Sequence, residues 1–148
     1  MSERRFCFRL CSRHTPPERT TTDLVVELFN ASGVWEAQQL SPTIPGFRLY
    51  LISLLLCQHF HLVTNALERH ISLYQVEADL VVTTSRDWIV TAVEGDFRIR
   101  LDASASPQEH QLVDAGVIAS IQERMLLCPV SRNLPDGVLK RIEVTVVA

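Results

Sequence analysis

The chain opens on alternation. Across "RRFCFRLCSR" (Arg4–Arg13), Phe6, Phe8 and Leu10 fall on one side and Cys7, Arg9 and Cys11 on the other. That two-residue period predicts a strand with one covered face. "HTPPERTT" follows as a proline-bearing loop, "DLVVELFN" as a second strand, "ASG" as a turn and "VWEAQQL" as a third strand. The prolines of "SPTIPG" end that run. From Phe47 to about Arg69 the pattern becomes helical, apolar nearly all round as far as Cys57 and polar on one side beyond it. A helix apolar on every side is a buried helix. Two β-rich stretches come next, "QVEADLVVTT" and "DWIVTAVEGDFRIRLDA", joined through "SRD". Gly95-Asp96 reads as a bulge in one long strand or as a second hairpin turn. A second helix is predicted over Ser106–Cys128. Ser106 is its N-cap, Pro107 its first helical residue, and Glu109 stands at the capping-box spacing. After "CPVSRNLPDG", the segment "RIEVTVV" reads as a closing strand.

The expected order is therefore three strands, a helix, two or three strands, a helix and a strand. This describes an α+β fold with the buried helix at its centre. No repeat, low-complexity tract or linker divides it, so residues 1–148 form a single expected domain.

Composition adds limits. The chain is 47% apolar and 21% charged, as a packed domain requires. Its net charge is −3 and it holds no basic block, which argues against a nucleic-acid partner. Charges interrupt the N-terminal stretch, so it does not read as a signal peptide. The apolar run Leu49–Cys57 is too short to span a bilayer. A soluble cytoplasmic protein, with no membrane partner, is the expectation.

The candidate chemistry is cysteine chemistry. Cys7, Cys11, Cys57 and Cys128 form no CxxC and no zinc-type pairing. Motifs of nucleotide binding, zinc proteolysis and serine hydrolysis are absent, and no metal or other cofactor is expected. Cys57 lies inside the buried helix. Cys128 lies at the break after the second helix, where Pro129 biases it away from helical geometry. A thiol at such a break is expected to be partly exposed and near unpaired backbone N–H groups. Both cysteines read either as small packing residues or as a thiol pair. His61 follows Cys57 by four residues on the same helical face, whereas His59 faces another direction. Trp35 and Trp88 read as packing residues.

At these residues the chain resembles the OsmC/Ohr family of osmotically inducible and organic-hydroperoxide-resistance proteins. "LISLLLCQHFHLVTNALE" is similar to that family's central helix with its cysteine, and "LLCPVSRNL" to its Cys-Pro signature. The resemblance covers about residues 22 to 148. It implies an OsmC-like fold: an N-terminal β-sheet, a long buried central helix, a β-hairpin, a second helix and a C-terminal strand, in an intertwined homodimer. It implies that Cys57 is peroxidatic, Cys128 resolving, the substrate a small hydroperoxide and the reductant a dithiol. It also implies an arginine from the N-terminal hairpin that activates the thiolate. Arg19 is the best match and Arg13 the next. The family's glutamate that orients this arginine is replaced here by Phe47, with Arg48 after it; Glu36 and Glu18 are other nearby acids. A homodimer is expected on physical grounds as well. The Phe47–Cys57 run is too apolar to face water, and two helices alone would cover a sheet poorly.

Overall fold

The opening alternation forms β1 (Arg4–His14), with Phe8, Leu10, Ser12 and His14 all buried on its inner side. In the computed structural model, which describes residues 3–147, β1 is followed by β2 (Thr21–Phe29), β3 (Trp35–Ala37), α1 (Gly46–Glu68), β4 (Leu73–Thr84) and β5 (Val90–Leu101). Then come α2 (Pro107–Leu112), α3 (Ala115–Leu126), α4 (Pro129–Arg132) and β6 (Leu139–Val147). The fold is α+β. The strands form one six-stranded sheet in the order β3-β2-β1-β4-β5-β6. The N-terminal strands join the rest through the antiparallel β1–β4 pair. Among the described strands, only β5 and β6 are parallel. A parallel pair needs a crossover, and α2, α3 and α4 supply it.

The inner face of the sheet is apolar. Leu80, Val82, Phe97 and Ile99 lie there under α1, whose inner side buries Leu51, Leu54, Leu55 and Leu62. The outer face is charged. Arg9 stands opposite both Glu27 and Asp79 and pairs with Glu27, while Arg98 bridges Asp79 and Asp96. Arg141 joins Glu94 and Glu143. Interspersed opposite charges are at ease in water, so this face needs no cover. Among the exposed apolar side chains, Leu49, Leu56 and Phe60 form a stripe on α1. As a whole, α1 is long and apolar enough to cross a membrane by length and composition. Its buried residues nevertheless include Gln58, His59 and Asn65, a polar load suited to a core helix.

Three local expectations change. Gly95-Asp96 is neither bulge nor turn, because β4–β5 pairing runs unbroken from Val76↔Ile99 to Thr83↔Ala92. The glycine has a packing reason: a Cβ there would sit 3.0 Å from Phe97 Cε1 and 3.3 Å from Gln58 Oε1. The second helix is split. Asp114 caps α3 by accepting a hydrogen bond from Val117 N, so the chain restarts a helix there. The capping box is half made. Ser106 Oγ accepts from Glu109 N as expected, but the Glu109 carboxylate accepts from Ser72 N at 2.6 Å and ties α2 to the start of β4. The hairpin turn is also longer than "SRD": Ser85 N donates to the Ile89 carbonyl, and β5 begins at Val90.

Candidate active site

The break after α3 is a new helix start. Cys128 is the N-cap of α4, with its Sγ accepting from Ser131 N at 3.3 Å, and Pro129 takes the first helical position. The short turn packs α4 on α1 and buries Cys128 completely. The expected partial exposure is therefore wrong, because the turn after the proline folds inward rather than away. The expected contact with unpaired backbone N–H groups is present.

The neighbour of Cys128 is Cys57, half-buried on α1. Burial pushes the Cys128 thiol up to about 11, and its hydrogen bond with Cys57 pushes the same way; the Ser131 and Val130 N–H groups oppose both. Cys128 thus keeps its proton at neutral pH, and Cys57 is the less buried of the two. The other two cysteines are out of play. Cys7 and Cys11 point to the outer face of β1, where Gln75 Nε2 donates to Cys11 Sγ. Four strand residues span about 13 Å, beyond the roughly 7 Å that a disulfide bridges.

Exposed apolar side chains lie close to the pair in sequence. Leu56 and Phe60 lie on the same exposed stripe of α1, and Leu127 precedes Cys128; Phe60 is 64% exposed and Leu127 51%. His61 Nδ1 donates to the Cys57 carbonyl at 3.1 Å, which leaves Nε2 as its outward nitrogen. His59 goes the other way, into the core, as its spacing required.

The expected activating groups do not join the pair within the chain. The Arg19 guanidinium pairs with Asp102 and donates to the Leu73 carbonyl. It borders a cleft with Leu67 and His70, at the far end of α1. Ten residues of helix, about 15 Å, separate Leu67 from Cys57. The Ser104 N–H, with Arg19, holds Asp102 down at about 2, so that pair stays ionised. Phe47 is equally remote at the other end, and it is the hub of an aromatic cluster. Its ring meets Phe6 at 5.6 Å, Trp88 at 5.4 Å and Tyr50 at 6.1 Å, and the Arg4 guanidinium lies 4.0 Å over Trp88.

One buried constellation was not anticipated. Ser12 Oγ lies 3.0 Å from His14 Nε2 and 2.8 Å from His59 Nε2, linking β1 to α1 inside the core. Burial lowers both histidines, His59 to about 4. Ser12 and His14 continue the inward positions of Phe8 and Leu10, which was the available signal; only the packing of α1 reveals their partner.

No family model matches the chain, and no curated protein does. Solved structures do. A protein from Psychrobacter arcticus, named for osmotic-stress induction and a detoxification response, shares 12% identity at a TM-score of 0.50, over 81% of this chain and 87% of that one. An OsmC-like protein from Mycoplasma pneumoniae also shares 12% at a TM-score of 0.50, over 84% and 89%. A chain named only as structural genomics matches at 0.53 with 15% identity, over 99% and 100%. At these identities the likeness is one of fold.

Proposed function

With an OsmC-like fold as the premise, we propose that this chain is a thiol-dependent peroxidase that reduces organic hydroperoxides. The observation that carries the reading is the contact between a half-buried Cys57 and a buried, protonated Cys128. The Cys57 thiolate attacks the distal oxygen of ROOH, the O–O bond breaks, and RO⁻ takes a proton to leave as ROH. Cys57 becomes a sulfenic acid. The Cys128 sulfur then attacks the Cys57 sulfur, the S–OH bond breaks, and water leaves with the Cys128 proton. A dithiol reduces the resulting disulfide and is itself oxidised to a disulfide. Atoms and electrons balance with ROOH and the dithiol as the only co-substrates. Exposed Leu56, Phe60 and Leu127, close in sequence to the two cysteines, suit an organic R group.

The active form in this reading is a homodimer in a reducing, cytoplasmic setting. Arg19 would reach a thiolate only by leaving Asp102, or by serving the Cys57 of a second copy. The test is mass spectrometry of a non-reduced digest after one equivalent of cumene hydroperoxide. A Cys57–Cys128 crosslink, replaced in Cys128→Ser by Cys57 sulfenic acid or higher oxides, is the expected result. Two unreactive thiols would sink the reading.

A second reading has its own support. An apolar groove of about 390 Å³ runs between β2, the 38–44 loop and α1, lined by Val26, Leu40, Ile44, Leu49, Ile52 and Leu56. With Phe47 in place of an acid, the chain would be a non-catalytic OsmC-like dimer that binds a small apolar ligand or a protein partner. Retention of an environmental fluorophore such as ANS in this groove, with no crosslink under peroxide, would favour it.

A further inference from the structure

We propose that the buried His14–Ser12–His59 relay is a positioning device: it fixes the rotation of α1 on β1, keeping Cys57 against Cys128, and it releases when His59 gains a proton. The functional consequence rests on the reading of Cys57 and Cys128 as a redox pair; the relay itself rests on geometry alone.

The direction of each hydrogen bond follows from its neighbours. His14 Nδ1 lies 3.2 Å from the Arg19 carbonyl, which can only accept, so Nδ1 carries the proton. The neutral ring then has a bare Nε2, which accepts the Ser12 hydroxyl at 3.0 Å. Ser12 Oγ in turn accepts from His59 Nε2–H at 2.8 Å. The relay runs one way, from α1 through β1 to the loop carbonyl. Each of the three side chains is at most 4% exposed. His59 follows Cys57 by two residues, so a rotation of α1 that breaks the relay also swings the thiol.

A proton disrupts this arrangement from either end. On His14 it occupies Nε2 and removes the acceptor for Ser12. On His59 it creates a buried cation whose ring centre is 6.0 Å from that of His14. Among the described residues, no anion pairs with either ring. The cross-strand neighbours of Ser12 are Leu24 and Val76, and that of His14 is Thr21. From the loop, the Arg19 guanidinium is turned to Asp102, and Glu18 borders the cleft beside it. From α1, His61 is bonded to the Cys57 carbonyl and Cys57 faces Cys128. The sign follows. The folded form holds His59 neutral down to about pH 4, whereas an opened segment titrates near 6.5. The open form binds more protons between these values, so opening is favoured as pH falls through that window.

The experiment compares the full-length chain with His59→Gln, whose amide N–H can replace the Nε2–H donor and does not titrate. Hydrogen exchange of β1 and α1 peptides is followed from pH 7 to pH 5, each rate being divided by that of the variant at the same pH. The intrinsic chemistry and the titration of His14 then cancel. In parallel, Cys128 is labelled with 4,4′-dithiodipyridine, which reacts in acid and can reach this buried thiol only after opening. Both ratios should rise about 20-fold between pH 7 and pH 5. Ser12→Ala, which breaks the relay at every pH, should already exchange and label faster at pH 7. Parallel pH profiles for the native chain and His59→Gln would overturn the proposal. A rise in exchange without a rise in Cys128 labelling would overturn the link to the thiol pair. Neither readout uses peroxide turnover, so failure of the relay and failure of the peroxidase reading are separate results.

Discussion

Cys128 keeps its proton because desolvation outweighs the two N–H groups aimed at its sulfur. This has a cost at high pH. The unfolded thiol ionises near 9 and the folded one near 11, so its contribution to stability is complete below pH 9 and is lost as pH rises through 11. The loss is at most about 3 kcal/mol. Urea melts from pH 8 to pH 10.5 should fall more steeply for the native chain than for Cys128→Ala; equal slopes would mean that the thiol is less buried than described. Phe47 supplies a second residue-scale prediction. The resemblance invites Phe47→Glu as a repair, but the position is packed by Phe6, Tyr50 and Trp88. A carboxylate there loses the contacts of a half-buried aromatic cluster, so the substitution should destabilise by about 1–2 kcal/mol and leave peroxide turnover no faster. Thermal melts and dithiol-coupled turnover of that variant decide the matter. The two cysteines could be singled out from their places in a helix and at its break. The Ser12 relay could be read only in part: alternation turns Ser12 and His14 inward, but their meeting with His59 depends on how α1 packs on β1.

At the scale of elements, periodicity located every long strand and both main helical regions, since apolar spacing is what burial acts on. It failed where the cause lay in another element. Gly95 resembles a turn residue, yet it sits mid-strand because Gln58 of α1 and Phe97 need the space a Cβ would take. Gly95→Ala should therefore cost about 1–3 kcal/mol by overpacking, read as a lower urea midpoint at unchanged slope. A neutral result would show that Phe97 and Gln58 shift freely. The split between α2 and α3 was more legible: Asp114 is a second N-cap residue within an otherwise continuous helical pattern. Periodicity overrode it because a chain of apolar positions passes straight through a break of two residues.

For the whole molecule, the question is what covers α1. The outer sheet face carries its own ion pairs. On α1, Leu49, Leu56 and Phe60 are exposed in one stripe with half-buried Ser53 between them, a spacing of three and four residues that forms a seam for another helix. Cys57 lies on the edge of this seam, next to Leu56. A second copy placing its own α1 there would bury both stripes, shield the thiol pair and bring new side chains towards Cys57, where the chain itself supplies neither Arg19 nor an acid. The expected assembly is a homodimer burying more than the roughly 1,200–2,000 Å² of a standard interface. Analytical ultracentrifugation at micromolar concentration should give a dimer, and Phe60→Glu should shift it to monomer by placing a charge in the seam. Because Phe60 is exposed in the single chain, that substitution should leave the fold of each protomer intact by circular dichroism. A native chain that sediments as a monomer would remove the seam as an interface and leave α1 open to the apolar ligand of the second reading.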